Sequence, residues 1–520
     1  MDVSSAKKRY QQLMAPGSFE TADLAKRFDQ LGLLIDISGV LARKDGVDRA
    51  LTICSELEHE TLSREQHGML HYFCANAWNH RRTISSSDRR AWEQQELEHE
   101  ILQLRHALSY LDSLPAMRRC QIFTNLGNAL SNCGRFLDAM YAWNQALGLD
   151  HTFGMAVGNR AVELSWYAQM SWQRHDQVVL LQESYAELLR ALALRLEGDA
   201  RQSFLRQKRW LERHVRPAVL RNRHDLKTGD LGKSEAENSY RRWCLAHHLF
   251  MHPVNDLGPY PAGASDPVTL PGITVSLGKG PCYVGFFNAM KQEFASARYL
   301  LFAGSQAAEV HFSDRGVSLA NTLDYPSYSV ATEQIKASFR MAYSLFDKVA
   351  FFLNDYLSLG IPENKVTFRT FWYEEKKNKK VLRANLYPLR HSPLRALFWL
   401  AKDLYERDSG LPDSMEPEAH DLAVIRNHLE HKYVKVHLEN WPAQPTPENV
   451  IARLLFDTLA FSVRREDFTA KTIRLLQLAR AALFYLACTV NVHERDSAKS
   501  RPTTRSLPME LQEWPDDWKR

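Results

Sequence analysis

The chain has 520 residues, 45% hydrophobic and 24% charged, with 66 Lys+Arg against 61 Asp+Glu for a net charge of +5. This composition excludes a disordered, collagen-like or disulfide-scaffold protein and fits a soluble globular chain of several domains of roughly 100–200 residues each. A chain this long buries a large core without disulfides or metal, and a charge this small names no partner by itself.

Seven cysteines, at 54, 74, 120, 133, 244, 282 and 488, are scattered, with no C-x-x-C and no zinc-ligand spacing. A reduced compartment with no bound metal or cofactor is the expectation. The opening MDVSSAKKRYQQL has no apolar leader region, and even Val349–Leu359 is broken by Asn354 and Asp355. A cytoplasmic protein without a membrane span is expected.

From Thr21 to about Arg223, apolar residues recur at three- and four-residue spacing and predict helices. Within Cys120–Asp150, Phe123, Leu126, Gly127, Leu130, Ala139, Trp143 and Ala146 fall at positions 4, 7, 8, 11, 20, 24 and 27 of a repeat. Small residues at 8 and 20 let two helices approach closely, and Gly134 ends the first helix. A shift of 34 residues maps Asn125, Gly127 and Leu130 onto Asn159, Ala161 and Leu164. Weaker units fit Leu34–Cys54 and Leu70–Ala77. The segment resembles tetratricopeptide (TPR) repeats, departing at Asp150–His151, where that pattern carries a proline. An irregular helical bundle is the alternative. A TPR-like α-solenoid implies a binding surface for an unknown trigger or partner. Ala200–Arg223 carries eight Lys/Arg against Glu212 alone, either a solvated helix face or a contact for phosphates. Pro253–Pro281, with six prolines and five glycines, reads as an interdomain linker without regular helix.

Beyond it, Gly285–Gly304 and Thr332–Leu359 read as helices. The second has an apolar stripe of Ile335, Phe339, Tyr343, Phe346, Ala350, Leu353 and Leu357. Val366–Tyr373 alternates, Glu374–Lys380 is polar, and Val381–Tyr387 follows, which predicts an inserted β-hairpin. Helices follow at Pro393–Tyr405, after an acidic Asp403–Asp421 loop at Glu418–Val436, and at Ala470–Val492. The C-terminal half is therefore expected to be a helical bundle. Lys365–Lys402 holds ten Lys/Arg and two acids. Phe368, Phe371, Trp372, Tyr373 and Tyr387 lie among them. Cations and rings together suit single-stranded RNA, with Lys376, Lys377, Lys379, Lys380 and Arg383 as candidate contacts. Equally, the rings pack inward and the lysines protect an exposed strand edge.

The chemistry-bearing pattern is Arg426-Asn427-His428-Leu429-Glu430-His431. On a helix, Asn427 and His431 lie about 40° apart on one face, and Arg426 flanks it. A guanidinium grips phosphate bidentately and an imidazole moves protons near neutral pH. That pairing suits metal-independent RNA cleavage, in which a 2′-hydroxyl attacks the adjacent phosphate. Arg209…His214 and Arg242…His247 share the spacing but carry Trp after the arginine. An Arg426–Glu430 ion pair on a solvated face is the plain alternative. His428 and His431 with His420 or His437 form a poor metal set, lacking cysteine or an acid pattern.

The strings GFFNAMKQEFASARYLLF, FRMAYSLFDKVAFFLNDYLSLGI, PLRALFWLAKDLYE and IRNHLEHKY, within about Gly285–Val492, resemble the HEPN superfamily, closest to its branch fused behind TPR-like repeats in bacterial conflict proteins. The resemblance implies a ribonuclease active as a homodimer, in which Arg426 holds the scissile phosphate, His431 transfers a proton and Asn427 orients either. Asp347, Lys348 and Glu430 are candidate supporting residues, the first two on a helix expected to face the motif helix. The implied organisation is a TPR-like domain over 1–223, a Pro/Gly-rich linker over 224–280, a HEPN helical bundle with an inserted hairpin over 281–495, and a tail over 496–520. In that tail Ser497–Ser506 is expected to be flexible, with Trp514 and Trp518 docking it. The implied setting is phage defence or stress-induced growth arrest, with RNA as substrate. The alternatives are a non-catalytic RNA-, nucleotide- or protein-binding scaffold and a nucleotidyltransferase-type toxin.

Overall fold

The computed structural model describes residues 3–21, 23–85, 88, 90–276, 278–376, 379–389, 392–405, 419–438, 457, 459–500 and 508–519. The fold is mainly α: the described residues form eighteen α-helices and four short strands. The N-terminal half begins with α1 (Val3–Met14) and then runs as helix pairs. These are α2 (Leu24–Val40) with α3 (Lys44–Leu57), α4 (Arg64–Ser85) with α5 (Gln95–Leu108), α6 (Ala116–Asn132) with α7 (Phe136–Leu149), and α8 (Gly154–Met170) with α9 (Arg174–Ala193). Gly127 shows why the third pair closes: a Cβ there would stand 2.5 Å from Nε1 of Trp143. That indole, 2% exposed, donates instead to the Thr124 carbonyl at 3.2 Å. Gly134 makes the turn between the two helices at φ 86°, a conformation that costs glycine little.

The basic stretch forms α10 (Ala200–His214) and α11 (Pro217–Arg221). It buries Phe204, Leu211 and Leu220 and exposes Arg201, Arg206, Arg209, Arg213, Arg216 and Arg221.

The Pro/Gly-rich segment is packed into the molecule. It holds α12 (Glu235–Ala246) and the five-residue α13 (Pro253–Leu257), every residue of which is buried. Asn255 ties it together, donating to the Leu245 carbonyl at 3.0 Å and accepting from the Phe250 amide at 3.1 Å. Its acids reach both ways: Asp266 meets Arg298 at 2.8 Å, and Asp256 meets Arg480 at 2.7 Å.

The C-terminal bundle consists of α14 (Cys282–Gln306), α15 (Val330–Tyr356), α16 (Ser392–Tyr405), α17 (Ala419–His431) and α18 (Arg465–Ser500). α18 is the axis on which α14, α15, α16 and α8 all pack. Its length and composition would allow it to cross a membrane, yet 89% of its most apolar stretch is buried inside the protein, as in the core helix of a bundle. One continuous core runs from Tyr72 through the middle helix pairs to Val490. The two halves therefore share buried side chains and do not hang on a free tether.

Five further expectations need correction. The 366–372 segment is a turn, and the hairpin is shorter, β1 (Tyr373–Lys376) with β2 (Lys379–Leu382), paired antiparallel from Tyr373↔Leu382 to Lys376↔Lys379. Phe368, Phe371 and Trp372 are at most 1% exposed, so their rings fill the core and are unavailable for stacking on RNA. The helix expected through Val436 ends at His431; Tyr433–His437 is strand β3, parallel to β4 (Ala460–Arg464). Finally, Trp514 and Trp518 meet edge to face at 5.4 Å but remain more than 60% exposed, so they do not dock the tail; α18 itself continues to Ser500, and 501–507 lie outside the described residues. Asp403 also belongs to α16, where it is buried, and not to an acidic loop; residues 406–418 lie outside the described set.

Candidate active site

α17 turns Leu422, Ile425 and Leu429 inward, each at most 5% exposed, and this fixes which residues face out. Asn427, Glu430 and His431 are exposed, and Arg426 is half-buried on the flank toward α15. Lys471 of α18 holds the start of the helix through Asp421 at 3.0 Å. At its other end, Nη2 of Arg340 on α15 donates to the Leu429 carbonyl at 2.6 Å. That bond satisfies one of the carbonyls a helix end leaves open. Arg340 Nε also approaches Glu430 at 3.9 Å, so Glu430 faces Arg340 and forms no ion pair with Arg426.

The Arg426 guanidinium lies 5.8 Å from the ring centroid of Tyr343, within cation–π range, and its Nη1 donates to Oδ1 of Asn427 at 3.2 Å. Tyr343 meets Tyr405 of α16 edge to face at 6.2 Å. Burial pushes both phenols above their ordinary pKa, Tyr405 strongly. Asp347, one turn along α15 from Tyr343, is shifted up by burial, partly offset by the Phe368 amide, 2.8 Å from its Oδ1, and by the charge of Arg426. The motif arginine thus stands at a half-buried cluster of Tyr343, Asp347 and Tyr405.

The remaining candidates separate. Lys348 turns to α14 and pairs with Glu293, away from the motif. His431 is the last residue of α17, and Arg426 is five positions earlier, about 140° around the helix. His428 gives its Nδ1 to the Val424 carbonyl at 2.8 Å and sets its ring against Phe461, while His437 is buried on β3. Among the described residues, no group of three His, Cys, Asp or Glu is placed to hold a metal ion. On the hairpin, Lys376 pairs with Glu374 at 2.7 Å, and Arg383 Nε donates to the Phe371 carbonyl at 2.8 Å. Lys379 and Lys380 are exposed, and Lys377 lies outside the described residues. Two other cations of that stretch serve the interior: Arg395 donates to the Asn132 carbonyl at 3.1 Å, and Lys402 pairs with Glu98.

Sequence reading missed Arg340 and Tyr405, and counted Arg369, whose charge acts on Tyr343, only as one cation of the basic Lys365–Lys402 stretch. Tyr405 ends an apolar helix before an acidic stretch and looks like an ordinary core aromatic. Arg340 belongs to no motif, and only the packing of α15 against α17 brings it here, as the 366–372 turn brings Arg369.

Residues 274–493 match the family model described as LA2681-like HEPN. No curated protein and no solved structure matches the chain. The match covers α14 to α18, the inserted hairpin and the Arg426–His431 motif, while the helix pairs of the N-terminal half lie outside it. By this match and the helical bundle that it spans, residues 274–493 form a domain of the HEPN superfamily, whose domains are often ribonucleases.

Proposed function

We propose that the protein is a metal-independent endoribonuclease governed by its TPR-like N-terminal half, acting in phage defence or stress-induced growth arrest. The observation that carries this reading is the state of Arg426: half-buried against Tyr343, hydrogen-bonded to Asn427 and free of any carboxylate partner among the described residues. A cation kept unpaired beside an exposed helix face is available to an anion such as phosphate.

In the proposed reaction, Arg426 neutralises a non-bridging oxygen of the scissile phosphate. The 2′-hydroxyl attacks phosphorus and the bond to the 5′-oxygen breaks. His431 takes the hydroxyl proton or delivers one to the leaving oxygen. The products are a 2′,3′-cyclic phosphate and a 5′-hydroxyl. The 140° between Arg426 and His431 on one helix supports a site completed by a second copy, hence a homodimer, with higher assembly open to it. Control by a trigger is supported by the helix pairs of the N-terminal half and by their buried ionic grip on α16, the helix that ends at Tyr405. End-group analysis tests the reaction class. Fragments made in EDTA should resist 3′-adapter ligation until the cyclic phosphate is removed. Free 3′-hydroxyl ends would exclude this chemistry.

A further inference from the structure

A cleft of ≈ 680 Å³ opens between the hairpin, the 359–370 turn and α16. Its size falls in the ≈ 300–1,000 Å³ range of small-ligand sites. Its walls combine two chemistries. The half-buried Tyr373 and Tyr405 supply ring surface, backed by the buried Trp372 and Phe398, which meet at 5.5 Å behind them. Lys365 and Arg369 stand at the opening, both exposed and neither engaged in an ion pair among the described residues. Of the two acids on the wall, Glu374 is already held by Lys376. Rings with unpaired cations beside them match a nucleotide, whose base stacks and whose phosphate is neutralised. They match an acidic peptide less well, since that would leave the ring surface unused. The cleft also leads to the motif: Tyr405 belongs to its wall and touches Tyr343, over which Arg426 sits.

We infer that this cleft, and not the outer edge of the hairpin, is the groove for single-stranded RNA next to the scissile phosphate, with Lys365 and Arg369 on backbone phosphates and a base against Tyr405. The inference rests on the ribonuclease reading, and binding is therefore measured apart from cleavage. Full-length His431→Ala protein is titrated with a fluorescent single-stranded oligoribonucleotide over a salt series, with and without Lys365→Ala and Arg369→Ala together. The double change should weaken binding at least tenfold and flatten the salt dependence by about 1.4 in log–log slope, about 0.7 for each lost phosphate contact. In the cleaving protein it should raise KM and leave kcat within about twofold. Both positions are exposed, so the fold should survive; an unchanged melting temperature checks this, and Lys365→Gln with Arg369→Gln repeats the test with longer side chains. Unchanged affinity and salt slope in both double variants would overturn the groove even if Arg426 and His431 prove essential for cleavage. RNA bound through the cleft without turnover would keep the groove and remove the ribonuclease reading.

Discussion

Asp403, two residues before Tyr405, accepts a 2.9 Å hydrogen bond from Nη2 of Arg105, and Arg135 binds the same carboxylate. All three side chains are at most 5% exposed. Arg105 lies on α5 and Arg135 precedes α7, so the N-terminal helix pairs grip the helix that carries a wall of the candidate site. Nearby, Tyr485 of α18 donates to Asp138 at 3.0 Å, which adds a second tie between the halves.

Breaking this grip should be costly. Burial pushes the Asp403 carboxyl up, but the two guanidiniums more than offset that and hold it well below the ordinary carboxylate range. A depressed pKa means the stabilisation is complete above about pH 4 and is lost as pH falls below it. Arg105→Ala at pH 7 should lower unfolding free energy by about 1.5–3 kcal/mol, because the buried carboxylate loses one of its two charged partners and keeps Arg135. Arg64→Ala, which removes a fully exposed pair with Asp112, should leave stability nearly unchanged. Denaturant titration of both variants checks the contrast, and equal effects would contradict it.

Asp176 carries the opposite shift. It sits 5% exposed in the first turn of α9, and burial alone raises its pKa to about 6. The unfolded chain releases this proton near pH 4 and the folded chain near 6, so stability from this group falls as pH rises across that window and the cost is complete above it. Asp176→Asn should therefore melt higher than the parent at pH 8, with the advantage fading toward pH 4. Thermal melts at the two values test the sign; a variant less stable at pH 8 than the parent would refute it.

Arg340 is expected to be a positioning residue for the end of α17. Arg340→Ala frees the Leu429 carbonyl next to His431 and should cost about 1 kcal/mol, reduced from a buried charged bond by exposure. Its larger effect should be on kcat, roughly tenfold, with RNA affinity unchanged and with partial recovery in Arg340→Lys. Loss of affinity at constant kcat would instead make Arg340 an RNA contact.

The helix pairs make a steric prediction. Gly127→Ala drives a methyl into the Trp143 indole and should destabilise by about 1–3 kcal/mol. Gly148→Ala, where a Cβ meets nothing within 4 Å, should be neutral or slightly stabilising. Parallel melts of the two variants decide it.

Much of the fold is legible in local spacing. Ile335, Phe339, Phe346, Ala350 and Leu353 repeat at helical intervals and are all buried along α15. The end of α17 is not legible in this way. Leu429, Tyr433 and Val436 continue the helical spacing, yet Tyr433–His437 becomes a strand because Ala460–Arg464 lies beside it. Lys435, buried on that strand, finds Asp324 at 2.6 Å and Asp457 at 3.1 Å, long-range partners that no window on the sequence contains. The 366–372 segment fails for the reverse reason: its aromatic residues alternate like a strand's but plug the core as a turn. At the site, a short motif marks Arg426, Asn427 and His431 as a unit. What surrounds them depends on three helices and a turn meeting, and alternating or helical periodicity says nothing of that.

The central claim is that the Arg426–His431 motif cleaves RNA. The direct measurement is single-turnover cleavage of a single-stranded RNA by purified full-length protein in EDTA, comparing the parent with Arg426→Ala and His431→Ala, all of matched melting temperature. The parent should cleave, and each variant should lose at least a hundredfold in rate. Cleavage that persists undiminished in both variants would contradict the claim, as would a parent protein that binds RNA and never cuts it.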